Sequence, residues 1–489
     1  MNIEFTDRVR EMVTEILAQY ETAGQGAPDE AATAQTASVA AGTVAAPNGD
    51  GIFSDLDEAV RAAVHAQRAL LAMPLEARKK VIKAMRDAAI ENARLLAAHT
   101  VDETGLGNVS DKTVKNTLAA SETPGVEDLE PSVYTNEYGL TLVERAPYGV
   151  IGSIIPVTNP TSTVINNSIG MVAAGNSVVF NPHPSAARVS CEAIAVLNRA
   201  IVGAGGPSDL LCSVGTPTVQ SATGLMNHAS IAIMVVTGGP AVVKAAMASG
   251  KKVIAAGPGN PPCVVDESAD IARAGRDIVN GAGFDHNIVC ICEKVVIAVD
   301  SVAESLVRAM VANGAYLLNA DQERKITELV VAETGGPGKE GIPNKKYIGQ
   351  SAASIAADIG LTVPPATKVL LCEVGKNHPL VWTEQLMPVL PVVRLPNVDD
   401  CIDLAVECEH GFRHTAMMHS LNVEKLSKMA RAMNCSLFVK NGPCYAGLAK
   451  GGAGFTSFTI ASPTGEGLTR ARSFTRERRC TLVDSFRIV

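Results

Sequence analysis

The stretch Val150-Ile-Gly-Ser-Ile-Ile155, followed by a helical pattern over residues 161–172 and by Ser177-Val-Val-Phe180, decides the fold of this chain. Both short runs are apolar almost throughout, which is typical of strands that are buried on both faces of a sheet. Two such strands joined by a helix form a βαβ unit with parallel strands. The stretch therefore predicts a parallel, doubly wound α/β sheet.

The same alternation continues along the chain in two series. Further short apolar strands are predicted at 210–214, 231–236, 252–255, 295–299, 368–372, 389–393 and 436–439. Helical patterns lie between them at 186–201, 218–226, 241–248, 303–314, 321–331, 398–408 and 423–433. Two series of this kind predict two doubly wound α/β domains, with the loop around residue 290 at the edge of the second.

The first fifty residues differ in character from the rest. Residues 1–20 place apolar side chains on one stripe at helical spacing, which predicts an amphipathic helix, and residues 21–52 have the small, polar composition of a flexible linker. A helix on such a tether has no core of its own, so we expect it to dock on another protein or on a sister helix. The alternative is that it folds back onto its own domain.

From residue 53 the pattern is helical, with one helix opening at Asp55 and another running from Pro74 to Leu96. Residues 138–145 then alternate as a strand does, and the last segment, 476–487, ends in a second alternating run. Exposed edge strands are usually covered. We therefore expect 131–146 and 470–489 to form an oligomerisation arm that pairs with a neighbouring subunit in a homo-oligomer.

Composition argues against several classes of protein. A net charge of -8 argues against nucleic-acid binding, and no apolar run is long enough to span a membrane. The N-terminus carries Glu4, Asp7 and Glu11 and lacks the basic-then-apolar pattern of a secretory signal. Eleven cysteines are too sparse for a disulfide framework, and the pair Cys290 and Cys292 has no partner pair at zinc spacing. We expect a cytoplasmic protein with no metal site.

The segment 280–294 contains a cysteine, Cys290, directly after a small, polar, glycine-containing run and just before the apolar strand 295–299. A thiol on a turn beside a strand is held rigidly while one side stays open to a substrate, as a nucleophilic cysteine requires. The alternative is a small core residue, which is the usual role of a free cysteine. Cys290 is therefore a candidate nucleophile.

Open α/β sheets bind ligands beyond the carboxyl ends of their strands. At those ends the sequence places the turns 156–160, 181–184, 215–217 and 237–240. None of them contains G-x-G-x-x-G, so the common dinucleotide fingerprint is missing. Thr237-Gly238-Gly239 stands before a helix, where backbone N–H groups could cradle a phosphate.

Four motifs together resemble the aldehyde dehydrogenase superfamily: Thr237-Gly-Gly239, Asn287-Ile-Val-Cys-Ile-Cys-Glu293, Glu384-Gln-Leu-Met-Pro-Val-Leu-Pro391 and Asn441-Gly-Pro-Cys-Tyr-Ala-Gly447. Two more are similar to its CoA-acylating branch in bacterial microcompartments: Glu409-His-Gly-Phe-Arg-His-Thr-Ala416 and Gly451-Gly-Ala-Gly-Phe-Thr-Ser457. The resemblance covers residues from about 53 to the end. It implies the aldehyde dehydrogenase fold, with a dinucleotide-binding domain over 53–130 and 147–255 and a catalytic thiol domain over 256–445.

Carried over residue by residue, the resemblance implies NAD as the cofactor and a set of site residues. Cys290 takes the nucleophile's place, and the oxyanion-hole residue is Thr158 or Asn159, because the turn can be aligned in two registers. Asn181 replaces a lysine that many relatives use at a cofactor ribose. The implied cofactor-binding residues are Thr237, Gly238 and Gly239 at the phosphates, Glu384 at the nicotinamide ribose, Gly215 and Pro217 on the adenine side, and also Pro182 and Gly257.

One departure from the hydrolytic members of the superfamily is informative. They have a glutamate that activates water, and Ala256 occupies that position here, 34 residues before Cys290. Without a base, water is a poor nucleophile towards an enzyme thioester, whereas a thiol has a pKa many units below that of water. We therefore expect coenzyme A as co-substrate. The alternative is that Asp285 or Glu293, which flank the loop, activates water.

The sequence thus predicts an enzyme that oxidises a short-chain aldehyde with NAD+ through an acyl-cysteine thioester and passes the acyl group to CoA. His414 is a candidate base for the CoA thiol, with a structural hydrogen bond as the alternative. Residues 1–20 resemble encapsulation peptides, which implies contact with shell or cargo proteins in a microcompartment lumen. A hydrolytic aldehyde dehydrogenase and a non-catalytic, cofactor-binding scaffold stay open, as do aldehyde length, NAD or NADP, and dimer or tetramer.

Overall fold

The computed structural model describes residues 50–484 and 486–488. The amphipathic helix expected at 1–20 lies outside the described residues, and so does most of the linker expected at 21–52. No helix in the described part of the chain is long and apolar enough to cross a membrane. The structure belongs to the α/β class and contains two parallel sheets, which confirms the predicted fold class.

The strands of the two parallel sheets are buried along most of their length. In chain order the strands are β1 (Ile52–Phe53), β2 (Ser132–Asn136), β3 (Gly139–Pro147), β4 (Val150–Ile155), β5 (Ser177–Pro182), β6 (Leu211–Val214), β7 (Ile231–Thr237), β8 (Lys252–Ala256), β9 (Pro262–Val265), β10 (Val295–Val299), β11 (Ala315–Leu317), β12 (Val331–Glu333), β13 (Ile342–Pro343), β14 (Val369–Val374), β15 (Val389–Leu395), β16 (Thr415–His419), β17 (Leu437–Lys440), β18 (Ile460–Ala461), β19 (Gly467–Leu468) and β20 (Thr475–Val483).

Helices connect most of these strands and cover the sheets. In chain order they are α1 (Leu56–Ala72), α2 (Leu75–Glu91), α3 (Ala93–Thr104), α4 (Val109–Glu122), α5 (Pro160–Ala173), α6 (Ala187–Gly203), α7 (Val219–Asn227), α8 (Pro240–Met247), α9 (Ile271–Ala282), α10 (Asp300–Ala312), α11 (Ala320–Val330), α12 (Ala352–Ala357), α13 (Val398–Cys408) and α14 (Val423–Met433).

The single helix predicted from Pro74 to Leu96 is in fact two helices, α2 and α3, which meet at Asn92. The Asn92 side chain donates through Nδ2 to the Ala88 carbonyl at 2.8 Å. Asparagine side chains compete with the backbone for such carbonyls, which is why they favour helix ends over helix interiors. The apolar pattern continues through this position, so it does not reveal the break.

The first sheet has six parallel strands in the order β1-β6-β5-β4-β7-β8. Ile151 and Ile155 of β4 belong to one core cluster, and Val150 and Ile154 belong to another, so both faces of this strand are covered. The order of the strands reverses at β4, with β5 on one side and β7 on the other. Ligand clefts form at such a switch point, beyond the carboxyl ends of the strands.

The second sheet has seven parallel strands in the order β11-β14-β15-β10-β9-β16-β17. The loop that carries Cys290 leads into β10, the middle strand of this sheet, and its place at the edge of the domain stays a prediction. Three strands of the sheet were not predicted: β9, β11 and β16. β9 begins with Pro262, a residue that disfavours a central strand unless it stands first.

A third, antiparallel sheet is formed by β2, β3 and β20. β2 is exposed at every residue, and β20 is exposed beyond Thr475. The two segments expected to form an arm therefore pair with each other within one chain. Pairing with a neighbouring subunit stays a prediction, and so do the limits of the domains.

Candidate active site

A cavity of about 380 Å³ lies at the carboxyl edge of the first sheet. It opens beside the ends of β4, β5 and β7 and the first turns of α7 and α8. Its lining includes four of the predicted cofactor-binding residues: Pro182, Thr237, Gly238 and Gly239. The other four lie outside this lining: Gly215, Pro217, Gly257 and Glu384.

The glycine turn before α8 fits a phosphate group. A Cβ placed on Gly239 would meet no atom within 4 Å, so the space beside this backbone is open. α8 begins at Pro240 without a capping side chain, and the free N–H groups of a first helical turn attract anions. No Asp, Glu, Lys or Arg of the described chain lines the cavity, so a pyrophosphate there would be held by backbone N–H groups and by neutral side chains such as Thr237. These residues therefore fit a dinucleotide.

Gly215 and Pro217 follow β6, at the same edge of the sheet as the cavity. Gly215 is exposed and Pro217 is buried. Gly257 follows β8, and a Cβ there would lie 2.8 Å from Cγ of Pro463, which explains why a glycine stands there. Asn181 does line the cavity, and its Oδ1 accepts a hydrogen bond from Ser221 Oγ at 2.5 Å.

Cys290 lies in a loop with an unusual backbone. Asp285, His286 and Asn287 have φ angles of 47°, 55° and 63°. Non-glycine residues adopt this left-handed conformation at a cost of roughly 1–2 kcal/mol each. Cys290 is half-buried, whereas Cys292 is fully buried. The loop therefore keeps Cys292 in the core and leaves Cys290 partly exposed.

Buried charges hold this loop in place. The fully buried Asp285 carboxylate accepts hydrogen bonds from Lys115 Nζ, from Lys112 Nζ at 3.0 Å and from the Asn108 N–H at 2.8 Å. Burial alone would raise the pKa of Asp285, but the charges of Lys115 and Lys112 hold that pKa below its ordinary value. An ionised carboxylate with these partners is a poor proton acceptor. Asp285 therefore does not fit the role of a base that activates water.

A second set of buried hydrogen bonds holds the loop from behind. Lys294, which is fully buried, donates through Nζ to the Asn287 carbonyl at 2.7 Å and to Asn287 Oδ1. Asn287 Nδ2 donates in turn to the carbonyls of Ala282 at 2.8 Å and Glu293 at 3.0 Å. Both ends of the segment that carries Cys290 are thus fixed.

Lys112, Lys115 and Lys294 are site residues that the sequence did not reveal. Lysine is almost never fully buried unless it is paired, so a lysine is usually assigned to the surface. One signal could have found the first two, since they share the buried face of α4 with small and polar residues at helical spacing. The buried residues of α4 are Lys112, Lys115, Asn116, Ala119 and Ala120.

Glu293, the other carboxylate beside the loop, is also buried. Its Oε1 accepts a hydrogen bond from the Cys444 N–H at 2.9 Å, and its Oε2 has no partner among the described residues. Burial raises the pKa of Glu293 to about 7. A Cβ on Gly281 would lie 2.2 Å from Oε2, so this oxygen packs against α9 and not against open space. Glu293 is therefore poorly placed to activate water.

Three of the predicted site residues meet around Gly259, in the segment between β8 and β9. A Cβ built on Gly259 would lie 3.0 Å from Cγ of His414 and 3.2 Å from the Cys290 carbonyl oxygen. The backbone of Gly259 also lies beside the Glu384 carboxyl group, where its N–H opposes the rise in the pKa of Glu384. A glycine lets the backbone approach both neighbours closely. Cys290, His414 and Glu384 thus lie around one backbone position.

The same segment leads to the cavity at Thr237. It begins after Ala256, the last residue of β8, whose partner on β7 is Thr237. The segment from Ala256 to Gly259 therefore connects the wall of the cavity with the thiol loop. At the position predicted for a water-activating acid, the side chain is a buried methyl group.

The protonation states around Cys290 follow from burial. Burial raises the pKa of the Cys290 thiol to about 12, and the charge of Glu384 acts in the same direction while that of Lys294 opposes it. The thiol is therefore protonated at neutral pH and must lose its proton before it can attack a carbonyl. Burial also raises the pKa of Glu384, to about 7.

Asn159 precedes α5 and is 8% exposed. Lys115 Nζ donates to Asn159 Oδ1 at 2.6 Å, and Asn159 Nδ2 donates to Thr158 Oγ1 at 3.0 Å. An ammonium group can only donate, so Lys115 fixes which end of the amide is oxygen. The second N–H of the Asn159 amide makes no hydrogen bond to the described residues, as the role of an oxyanion donor requires. Both Thr158 and Asn159 stay candidates for that role.

His414 is fully buried, and its Nδ1 lies 2.8 Å from Thr415 Oγ1. Its Nε2 has no hydrogen-bond partner among the described residues. Burial, together with the charge of Lys294, lowers the pKa of His414 to about 4. The ring is therefore neutral at pH 7, and in the tautomer that donates from Nδ1 the Nε2 lone pair can accept a proton. Both predicted roles of His414 therefore stay predictions: a base for the CoA thiol, or a residue that makes a structural hydrogen bond.

The chemistry suits nucleophilic attack on a carbonyl, because the thiol loop, the Asn159 amide and the neutral imidazole of His414 are each held by buried contacts. Within residues 50–484 and 486–488, no group of three or more His, Cys, Asp or Glu side chains is placed to hold a metal ion.

We expect iodoacetamide to alkylate Cys290 slowly at pH 7, with a rate that rises about tenfold per pH unit up to at least pH 10. The reason is that the thiolate fraction grows in this proportion below a pKa of about 12. Mass mapping of the peptide that contains residue 290 measures the rate, and Cys290→Ala is the control. A rate that levels off near pH 8 would contradict the raised pKa.

Several known proteins are similar to this chain. Acetaldehyde dehydrogenase (acetylating) EutE of Salmonella typhimurium is 52% identical over 440 residues, which cover 90% of this chain and 94% of that protein. The structure of Rhodopseudomonas palustris propionaldehyde dehydrogenase with bound CoA and an acylated cysteine gives a TM-score of 0.86 at 46% identity, covering 89% of this chain and 98% of the other. Propionaldehyde dehydrogenase from the Clostridium phytofermentans fucose utilisation bacterial microcompartment gives 0.87 at 45% identity, covering 90% and 100%.

The sequence profile of the aldehyde dehydrogenase family matches residues 27–459, which is most of the chain. The match includes the two parallel sheets, the cavity at Thr237 and the loop of Cys290. The resemblance that the motifs suggested is therefore confirmed at the level of the family. The chain belongs to the aldehyde dehydrogenase family.

Proposed function

We propose that this chain is a CoA-acylating aldehyde dehydrogenase, which oxidises a short-chain aldehyde with NAD+ and transfers the acyl group to coenzyme A. One observation carries the proposal: the half-buried Cys290 lies beside a segment in which Ala256 stands where a water-activating carboxylate is required for hydrolysis. The acetylating and propionaldehyde relatives, at 52% and 46% identity, support the same activity.

The cavity at the carboxyl edge of the first sheet is the place that we assign to NAD+. Thr237, Gly238 and Gly239, with the first turn of α8, would hold its phosphates through backbone N–H groups. Glu384 is assigned to the nicotinamide ribose. Further proposed contacts of the cofactor are Pro182, Gly215, Pro217 and Gly257. When bound, NAD+ supplies an acceptor for hydride.

Cys290 carries the covalent chemistry. After it loses its proton, its sulfur forms a bond to the aldehyde carbon, and the carbonyl oxygen becomes an oxyanion. The Cys290 N–H and a side-chain donor from Asn159 or Thr158 would stabilise this oxyanion, and one such donor contributes about 3–4 kcal/mol. Loss of hydride from the same carbon leaves the acyl group on Cys290 as a thioester.

The thioester needs a nucleophile that works without a strong base. The flanking carboxylates do not supply one, because Asp285 is ionised and paired and Glu293 packs against α9. A thiol has an ordinary pKa of about 8.5, against about 15.7 for water, so the CoA thiol is far easier to ionise. Nε2 of His414 is the proposed acceptor of its proton. The hydrolytic alternative is disfavoured by the same contacts.

Omitting CoA from the assay tests whether CoA is the acceptor of the acyl group. With aldehyde and NAD+ alone, we expect the wild-type enzyme to stop after a single turnover, because nothing removes the acyl group; CoA should restore steady NADH formation and yield acyl-CoA. Sustained turnover without CoA would contradict the proposal. Cys290→Ser tests the scaffold alternative, since unchanged NADH formation in this variant would exclude the thiol from the reaction.

A designed variant places a carboxylate at position 256, where this chain has an alanine. Ala256→Glu is expected to gain NADH formation without CoA and to release a carboxylate, because a base then stands in the segment that reaches the thiol. Ala256→Gln is the control of equal size and should not gain this activity. Equal behaviour of the two variants would show that a carboxylate at position 256 is not what separates acylation from hydrolysis.

Aldehyde and CoA are the small-molecule partners, and a microcompartment lumen is the proposed location. A related propionaldehyde dehydrogenase comes from a bacterial microcompartment, which supports this setting. We assign residues 1–20 to contact with shell or cargo proteins, because their apolar stripe is separated from the enzyme by the linker 21–52.

The third sheet is the proposed site of homo-oligomer formation. β2 and β20 are its two edge strands, and both are exposed. Val133, Tyr134 and Leu482 on these strands are exposed apolar residues. Edge strands with apolar side chains are usually covered by another chain.

Deleting residues 1–20 is expected to leave aldehyde oxidation unchanged within about twofold and to abolish co-purification with microcompartment shell proteins. Activity should be retained because all proposed catalytic and cofactor-binding residues follow residue 150. Co-purification should be lost because the deletion removes the apolar stripe that is proposed to bind shell proteins. Deleting residues 31–40 from the linker is the matched control and should retain co-purification. Unaltered co-purification after removal of 1–20 would refute the assignment.

A further inference from the structure

One buried ammonium group joins the nucleophile loop to a candidate oxyanion donor. Lys115 on α4 is 2% exposed and donates to the Asp285 carboxylate and to Asn159 Oδ1, the latter at 2.6 Å. Asp285 stands five residues before Cys290, and Asn159 stands directly before α5. An ammonium has three N–H donors, so it can serve both acceptors at once.

The orientation of the Asn159 amide determines whether this side chain stabilises or destabilises an oxyanion beside it. An amide can rotate so that its oxygen and its N–H2 group exchange places, and an oxygen directed at a developing oxyanion would repel it. Because Lys115 has no acceptor, it binds only the Oδ1 end of the amide. The N–H2 group then occupies the other end, where one N–H meets Thr158 Oγ1 and the other makes no hydrogen bond to the described residues.

We propose that Lys115 is a positioning residue for acyl-enzyme formation: it holds the Asn159 amide with N–H2 towards the oxyanion and ties it, through Asp285, to the Cys290 loop. The proposal rests on the proposed function and selects Asn159 over Thr158 as the side-chain donor. Lys115 acts through Asn159 and not by touching substrate.

Lys112 provides an internal comparison. It shares the same carboxylate, at 3.0 Å from Asp285, but its other contact is the backbone carbonyl of Thr158 at 3.3 Å. Burial and the neighbouring Lys115 charge lower the pKa of Lys112 to about 8, so two ammonium groups beside one carboxylate are unfavourable together. Charge balance alone therefore does not explain why both lysines are there, whereas orientation of the Asn159 amide explains Lys115.

The test measures acyl formation in a single turnover, as the rate of NADH release from full-length enzyme with saturating aldehyde and NAD+ and no CoA. Lys115→Met is expected to lower this rate about 100-fold, which is the order of effect of losing one oxyanion donor. Lys115→Arg, which keeps the cation, should stay within about tenfold of wild type. Lys112→Met should lose at least about tenfold less than Lys115→Met.

Two further readouts separate positioning from a damaged fold. The KM for NAD+ and the rate of iodoacetamide alkylation of Cys290 should both stay within about threefold of wild type in Lys115→Met, because Lys112 Nζ and the Asn108 N–H still bind Asp285 and hold the thiol loop. If Lys115→Met does not fold, Lys115→Gln and Lys112→Gln provide the same comparison. Equal losses in the two lysine variants, or a large change in alkylation, would overturn the proposal.

The decisive measurement is a double-mutant cycle with Asn159→Ala. If Lys115 acts through Asn159, adding Lys115→Met to Asn159→Ala should lower the acylation rate by less than about threefold. Losses that multiply would overturn the proposal, since Lys115 would then act independently of the amide. These outcomes are distinct from failure of the proposed function, which would appear as absence of acyl-CoA formation by the wild-type enzyme.

Discussion

The candidate site depends on one carboxylate buried between two ammonium groups. Asp285 is fully inaccessible, and it contacts Lys112 and Lys115 from a neighbouring helix. Removing the carboxylate would leave two buried ammonium groups without compensation, and breaking a buried ion pair in this way typically costs about 3–5 kcal/mol. This interaction offsets the unfavourable left-handed backbone at residues 285–287. Since that turn leads directly to Cys290, the buried charges also determine where the sulfur lies.

A steric constraint completes the site. At Gly259 the chain that joins the two sheets passes so close to Cys290 and His414 that a side chain would contact both. One end of this segment pairs with Thr237 at the cavity assigned by our proposal to NAD+, and the other leads into the centre of the second sheet. The cavity assigned to the hydride acceptor therefore lies at the first sheet, whereas the proposed nucleophile lies beside the second. The few residues between β8 and β9 determine how far apart these two sites are.

The sequence predicted most of the parallel strands, because strands such as β4 and β10 are continuous apolar runs in a sheet covered on both faces. β16 was not predicted, since Thr415 and His419 at its ends are polar residues that tertiary contacts bury. The motifs indicated Cys290 and the glycine turn at 237–239, because each of these features is encoded by a short, contiguous run of residues. Lys115 could not be found in this way, as its partner Asp285 is 170 residues distant in sequence and no local pattern reports their pairing.

The proposed reaction follows from these contacts. The sulfur of Cys290, held by a rigid loop, keeps the acyl group as a thioester until the sulfur of CoA accepts it. Intact-protein mass spectrometry tests this most directly, after the enzyme is mixed with propanal and NAD+ in the absence of CoA. The account predicts that the chain gains the mass of one propanoyl group on Cys290, that this adduct persists for many turnover times, and that added CoA removes it at once. An adduct that never forms, or that disappears equally fast without CoA, would contradict it.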